Sequence, residues 1–322
     1  MFPSKEDLTI CFAHAAYRMK DRFDLRKAGI RNFEVRTYED LAKRIGDADV
    51  VLVSGMWKND LIACAPKLKF IQSISSGMDQ YSKEQLADKG VRLASAAGVN
   101  ARAVAEHAIA LVLALARRIP EARDNQTRKV WRGMIGDLAQ REDELGGKTM
   151  AVVGMGRIGS HLAKLANAFD MKVIGIRRDP KSGANGADSI HGMSDVAKLM
   201  PQADFVVLTC ALTPQTHGLM SATAFAAMKP SAYFINVARG RVVDETALVK
   251  VLEAGQIAGA GIDVTADEPL PAASPLWTMP QVLVTPHTAG ETRAYEDNVL
   301  DILMENLDRL WRGESALRNQ VV

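Results

Sequence analysis

Two successive series of short apolar runs, separated by amphipathic or polar stretches, predict an α/β protein with two doubly wound parallel-sheet domains. A length of 322 residues fits two domains of ordinary size. A glycine-rich loop at 154–159 opens the second series directly after an apolar run, where a parallel α/β unit turns from strand to helix.

In the first series, residues 8–13, 33–36, 50–54, 70–74 and 91–95 read as strands. A long alanine-rich helix is expected over 101–118, ending before Pro120. The second series runs through strands at 149–153, 172–176, 205–209, 233–237, 260–263 and 282–284, with a helix over 157–169. After Gly290 only a helix remains, at 293–311 by its apolar spacing. A terminal helix with no strand after it is expected to pack back on the first domain. The first domain would then comprise 1–98 plus 292–322, interrupted by a second domain of 99–291. Hinges are expected around Val99 and Asn100 and just after Gly290, so that the domains close over a bound molecule. The 101–118 helix is apolar on more faces than a monomer surface favours, which predicts a homodimer through the second domains.

Composition excludes several classes. At 48% hydrophobic and 24% charged residues, the chain can bury a substantial core. A net charge of +2, with no Lys/Arg run, gives no field for nucleic acid or anionic lipid. Cys11, Cys64 and Cys210 are odd in number and outside any metal-ligand spacing, so reduced, buried thiols and no metal are expected. Residues 1–12 lack the basic segment and apolar core of a signal peptide. The apolar run 108–116, bracketed by Glu106, His107, Arg117 and Arg118, is too short for a bilayer of about 30 Å and reads as a buried helix. A cytoplasmic protein without a membrane partner is expected.

The glycine loop, Gly154-Met155-Gly156-Arg157-Ile158-Gly159, carries a specific physical requirement. Its first glycine permits a tight turn, its second lets a pyrophosphate approach the backbone, and its third lets helix and strand pack closely. N–H groups at the helix start would face the phosphates. A methyltransferase cofactor would also suit such a loop. Those sites usually carry an acid just after the second strand, and Arg177 and Arg178 stand there instead.

Downstream lie Arg239, Glu268 and His287, which offer a cation for a carboxylate, a carboxylate to tune an imidazole, and an imidazole to move a proton. They sit in three ordered motifs: Asn236-Val237-Ala238-Arg239-Gly240-Arg241; Gly261-Ile262-Asp263-Val264 running on to Asp267-Glu268-Pro269; and Thr285-Pro286-His287-Thr288-Ala289-Gly290. With the glycine loop ahead of them, the set resembles the D-isomer-specific 2-hydroxyacid dehydrogenase family. Ser76-Gly77-Met78-Asp79, Ala105-Glu106-His107 and Leu212-Thr213-Pro214 extend the resemblance over nearly the whole chain. The Arg177-Arg178 pair and the run from Asp263 to Pro271 look most like glyoxylate/hydroxypyruvate reductases.

The resemblance implies a flavodoxin-like substrate domain, a Rossmann cofactor domain, and NAD(P)H-dependent reduction of small 2-oxo acids to D-2-hydroxy acids. Arg239 would grip the substrate carboxylate and carbonyl oxygen. His287 would protonate that oxygen, and Glu268 would hydrogen-bond the far side of the imidazole, fixing its tautomer and favouring its charged form. Backbone N–H groups of Ser76 and Gly77 would hold the carboxylate, and Trp57 in the Gly55-Met56-Trp57 loop would border the substrate side chain. The cofactor would meet Gly154, Met155, Gly156, Arg157, Ile158, Gly159, Arg177, Arg178, Ala211, Ala238 and Asp263, the last through the nicotinamide amide. Family members pair through their cofactor domains, with the segment 130–145 reaching toward the partner's active site. His107 reads as a packed histidine with a local hydrogen bond.

The sequence departs from the family pattern in two places. Ala211 replaces a frequent proline before Leu212-Thr213-Pro214. Arg177 occupies the place where NAD-dependent members carry an acid, and Asp179 follows two residues later. NADPH is therefore expected over NADH, with NAD use left open. Two other readings stay open: a reductase of bulkier 2-oxo acids such as phenylpyruvate, with Trp57 at the pocket or equally in the core, and a dinucleotide-sensing binding protein without catalysis.

Overall fold

The computed structural model describes residues 2–322, apart from the side chain of Ala139. The chain divides into two compact units, one formed by 1–100 with 292–322 and the other by 101–291.

The first unit holds β1 (Thr9–Ala13), β2 (Arg31–Val35), β3 (Val50–Val53), β4 (Phe70–Ser73) and β5 (Arg92–Ala94). They form one sheet in the order β2-β1-β3-β4-β5. Every pairing is parallel, which is the flavodoxin-like doubly wound arrangement. β3 and β4 are buried along their whole length; β3, Val-Val-Leu-Val, accordingly reads as an unbroken apolar run, whereas β4 carries the buried polar Gln72 and Ser73. The Tyr295–Trp311 helix belongs to this unit and turns Val299, Leu300, Leu303, Leu307 and Leu310 into its core. Its one fully buried polar residue, Asn306, donates to Gln72 Oε1 on β4 at 3.0 Å, and Gln72 donates in turn to the Ser73 and Ala94 carbonyls.

The second unit holds β6 (Thr149–Val153), β7 (Lys172–Arg177), β8 (Ser189–Gly192), β9 (Phe205–Leu208), β10 (Tyr233–Asn236), β11 (Gly259–Ile262) and β12 (Val282–Val284). Their order is β12-β11-β10-β9-β6-β7-β8, and all pairings are parallel. The order reverses at β6 and β9. In an open parallel sheet, ligands bind outside the carboxyl ends of the strands at such a reversal.

Two elements depart from expectation. β8 has no signal in the sequence, because Ser-Ile-His-Gly forms an edge strand that is only half-buried throughout. The long helix ends before Pro120 as expected, but a second helix that was not expected follows. The long helix ends at Ala116, and a second helix, Ile119–Arg128, begins with Pro120 in its first turn, where the missing N–H costs nothing.

The Ala101–Ala116 helix packs on the Arg157–Ala168 helix and on β10 and β11 within its own unit. Gly261 on β11 makes room for it, since a Cβ there would lie 3.1 Å from Leu111. Only Arg102, Glu106 and Ala110 of this helix are exposed. Its apolar faces are thus covered inside the unit and do not by themselves require a partner. The unpartnered apolar surface lies further on. The Ile119–Arg128 helix buries no residue, and Trp131 (99% exposed) and Met134 (102%) project beyond it. They help line a groove of 680 Å³ with Ala122, Gln126 and Val130.

The cysteines divide. Cys11 is buried on β1, and burial pushes its thiol up to about 12. Cys64 is exposed, contrary to the expectation of buried thiols, because it ends a surface 3-10 turn, Asn59–Cys64. Among the described residues, no helix is long and apolar enough to cross a membrane.

Candidate active site

At the β6–α turn the backbone demands glycine. Gly154 has φ +114°, and a Cβ on it would meet the backbone N of Cys210 at 2.5 Å, where β9 ends. A Cβ on Gly159 would lie 2.4 Å from the Gly154 carbonyl. Gly156 is different: its Cβ would meet nothing within 4 Å and would project into open space. That is the space a phosphate needs if it is to reach the backbone. Gly156 is also the N-cap of the Arg157–Ala168 helix and offers it no side-chain cap. The loop therefore fits a dinucleotide pyrophosphate.

Its other members differ in what they present. Gly156 and Arg157 are exposed, and Ile158 is half-buried. The Met155 side chain is 1% exposed and packs beneath the loop, so it is the Met155 backbone that faces a ligand. Cys210, next to the loop, is held as a thiol by burial, its pKa raised to about 11. Ala211 is exposed, and its carbonyl accepts the Thr216 hydroxyl at 2.7 Å.

Strand β7 runs one residue further than expected, through Arg177. Arg177 Nη1 donates to the carbonyls of Ser182 and Gly183 at 3.4 and 3.2 Å, so this guanidinium braces the following loop, while Arg178 is exposed. Asp179 turns into the same loop and accepts from the Ser182 hydroxyl and the Lys181 N–H. Those two bonds hold its carboxyl below the usual carboxylate range.

The polar trio converges at the carboxyl ends of β10, β11 and β12. Asn236, buried at the end of β10, shapes the turn that carries Arg239: its side chain accepts the Ala238 N–H at 3.0 Å and donates to the Arg239 carbonyl at 3.2 Å. Ala238 is buried, and its carbonyl accepts from Arg239 Nη1 at 2.7 Å. Gly240 then presses against the loop after β11, where its Cβ would lie 1.9 Å from the Thr265 carbonyl oxygen. That loop carries Glu268, which accepts the Thr265 N–H. Glu245 steadies it by accepting the Ala266 N–H at 2.8 Å.

His287 Nδ1 lies 2.7 Å from Glu268 Oε2. A carboxylate can only accept, so Nδ1 carries a proton and Nε2 is the nitrogen turned to chemistry. The pair remains accessible, with 49% and 39% side-chain exposure. His287 has φ +55°, a left-handed conformation uncommon for a non-glycine residue. Its N–H is held by the carbonyls of Asp263 and Thr285. Glu268 and His287 border a hollow of 390 Å³ completed by Asp263, Thr265, Leu270 and Trp277.

Asp263, at the end of β11, is 3% exposed. Its Oδ1 accepts the Thr285 hydroxyl at 2.6 Å and the Thr288 N–H at 3.0 Å, and its Oδ2 accepts the Ala289 N–H at 3.2 Å. Much of its bonding capacity thus serves the turn that bears His287, leaving Oδ2 the less committed oxygen for a ligand amide.

The remaining candidates belong to the first unit. Ser76 is exposed and Gly77 half-buried in the loop after β4. Ser75 anchors that loop, its hydroxyl donating to the Gly77 carbonyl and accepting from Ser54. Trp57 does not line a ligand surface. It is 2% exposed, stacks on Tyr81 and donates its indole N–H to Asn59. The apolar side chains of the strand faces enclose it, so it is a core residue.

Sequence reasoning passed over Gly240, Glu245, Thr285 and the contact of His107 with Thr285. The adjacency of Gly240 to Arg239 was the available signal for the first; the others depend on contacts between distant segments.

A dinucleotide-binding loop with an Arg and a Glu–His pair on adjacent strand ends defines an oxidoreductase arrangement, and comparison with known proteins identifies its class. Residues 109–289 match the family described as D-isomer specific 2-hydroxyacid dehydrogenase, NAD binding domain. The chain is 36% identical over 299 residues to a glyoxylate/hydroxypyruvate reductase B of Escherichia fergusonii, covering 92% of this chain and 91% of that protein. It is 37% identical over 284 residues to a D-3-phosphoglycerate dehydrogenase of Methanocaldococcus jannaschii, covering 87% of this chain but only 53% of that longer relative. Among solved structures, an NADPH-dependent glyoxylate/hydroxypyruvate reductase of Sinorhizobium meliloti in complex with citrate superposes with a TM-score of 0.82 at 26% identity, covering 98% of this chain and 97% of that one. The chain belongs to the D-isomer-specific 2-hydroxyacid dehydrogenase family. It is an oxidoreductase with a nicotinamide-dinucleotide domain.

Proposed function

We propose that the protein reduces small 2-oxo acids, of the glyoxylate and hydroxypyruvate kind, to D-2-hydroxy acids, and prefers NADPH. The carrying observation is the 2.7 Å contact of His287 Nδ1 with Glu268 Oε2 beside the turn that presents Arg239. A bound nicotinamide dinucleotide would supply the hydride. In the balanced reaction the carbonyl carbon gains that hydride, its oxygen gains one proton, and the cofactor leaves oxidised. Arg239 would hold the carboxylate and polarise the carbonyl through its planar set of donors. His287 would deliver the proton from Nε2 while Glu268 keeps the ring oriented through Nδ1. Ser76 and Gly77 would offer backbone N–H groups to the carboxylate.

The pyrophosphate would lie along Gly154, Gly156, Arg157 and Gly159. Arg178, exposed after β7, and Arg177 beside it favour a 2′-phosphate over bare ribose hydroxyls. Asp179, committed to its own loop, is drawn away from that role. Substrate and cofactor names among the relatives point the same way. The second domain is further read as the dimerisation domain, with Trp131 and Met134 buried against a second copy.

The test is a panel of 2-oxo acids assayed with NADPH and with NADH. The reading expects the highest kcat/KM for glyoxylate or hydroxypyruvate with NADPH; a preference for phenylpyruvate would favour a bulky-substrate reductase instead. General acid catalysis typically supplies about 10²–10⁴-fold, so His287→Ala should lose at least that while remaining folded.

A further inference from the structure

His107 stands apart from the trio, on the Ala101–Ala116 helix, yet it is joined to the His287 turn through side chains. Its Nε2 lies 3.0 Å from Thr285 Oγ1, and that hydroxyl lies 2.6 Å from Asp263 Oδ1. The directions are fixed by chemistry. A buried carboxylate accepts, so the Thr285 hydroxyl spends its one proton on Asp263 and must accept from His107. His107 therefore carries its proton on Nε2. Asp263 passes the constraint on by accepting the Thr288 and Ala289 N–H groups, while its own carbonyl accepts the His287 N–H at 2.8 Å. The residue so enclosed, His287, sits at φ +55°, a conformation that persists only where the surroundings over-determine it.

We propose that His107 is a positioning residue for the reaction: through Thr285 and Asp263 it sets the turn on which the His287 imidazole meets Glu268. The proposal rests on His287 being the proton donor. The relay is rigid at both ends. His107 is carried by a helix whose Ala105 and Ala108 are wholly buried in the core beneath β10 and β11, and Asp263 ends β11 itself. A side chain that only filled space would need neither the donor nor the chain of hydroxyl and carboxylate beyond it. Without His107 the Thr285 hydroxyl can rotate, and the bond to Asp263 Oδ1 loses its fixed direction.

The experiment compares His107→Leu, His107→Gln, Thr285→Val, Thr285→Ser and the His107→Leu/Thr285→Val double variant, with His287→Asn measured alongside. Read-outs are kcat and KM for glyoxylate, NADPH affinity by fluorescence titration, and the thermal midpoint. A misplacement near 1 Å costs up to about 10²-fold, so a partial loosening of the turn in His107→Leu should lower kcat on the order of 10-fold. KM and NADPH affinity should hold. Gln, whose amide N–H can reach the Thr285 hydroxyl, should restore most of the loss, as should Ser at 285. The double variant should be no slower than the slower single, because both break one path. The proposal is overturned if His107→Leu turns over like the parent, if the single losses multiply in the double variant, or if Gln fails to rescue. An unimpaired His287→Asn would instead remove the proton-donor reading on which the proposal stands.

Discussion

Replacing Gly240 by alanine should disable the site without touching any of the three polar residues. The added methyl would lie 1.9 Å from the Thr265 carbonyl oxygen, 2.0 Å from its carbon and 2.4 Å from the Ala266 nitrogen. All three are backbone atoms, so no rotamer change relieves the clash. Ordinary contact begins at 3.4 Å, and the Thr265 segment must therefore retreat by about 1.5 Å. That segment accepts its shape from two bonds, Thr265 N–H to Glu268 and Ala266 N–H to Glu245. Its retreat shifts Glu268 and unsettles the imidazole that Glu268 holds. A 1 Å misplacement can cost roughly 10²-fold in rate, and overpacking of this kind costs about 1–3 kcal/mol of stability. Steady-state kinetics and thermal melting of Gly240→Ala should show a fall of at least ~10²-fold in kcat/KM, with a folded protein of lowered midpoint. A variant with parental kcat/KM would refute the claim that this close approach sets the site.

Other perturbations have distinct signatures. Gly156→Ala should fold and melt like the parent, because its methyl meets no protein atom within 4 Å, yet should weaken NADPH binding in a fluorescence titration. Arg177→Asp with Arg178→Ala should shift the kcat/KM ratio toward NADH, since each charge-assisted bond to a 2′-phosphate is worth roughly 1.5–3 kcal/mol. His14 Nδ1 accepts the Ala16 and Tyr17 N–H groups, and burial, then the Arg36 charge, hold its pKa below the ordinary 6.5. As pH falls through 6.5 the unfolded chain takes up a proton that the folded chain refuses, so stability should drop as the pH is lowered below that value. In His14→Asn, whose amide oxygen can accept the same N–H groups, urea titrations should show a smaller drop. In the native protein Cys64 alone should react promptly with a thiol reagent, with Cys11 and Cys210 kept protonated and shielded until unfolding. Trp131→Glu with Met134→Glu should sediment as a monomer where the parent sediments as a dimer.

How far the sequence revealed this architecture depended on burial. Strands covered on both faces, such as β3 and β9, are continuous apolar runs and could be read directly. β8 could not, because an edge strand with four half-buried residues has neither a run nor an alternation. Pro120 rightly marks the end of the long helix, but proline can also begin a helix, and the Ile119–Arg128 helix that starts there could not be read from it. In the site, Arg239, Glu268 and His287 were legible because short motifs carry them. The sequence leaves Trp57 open between core and ligand, since an aromatic after a strand end can face either, and Tyr81, its stacking partner, lies on a separate segment. The same limit hid the His107–Thr285–Asp263 chain, whose members are separated by 156 residues and 22 residues, with 178 between the first pair in space. The apolar faces of the long helix are covered by the Arg157–Ala168 helix and the sheet of its own domain, so they give no argument for a subunit partner.

The most direct test follows NADPH oxidation by the purified protein with hydroxypyruvate, then resolves the product by chiral chromatography. The account predicts one molecule of D-glycerate for each NADPH consumed, and turnover lowered by at least about 10²-fold in His287→Ala. Formation of the L-isomer, or parental turnover without His287, would contradict it.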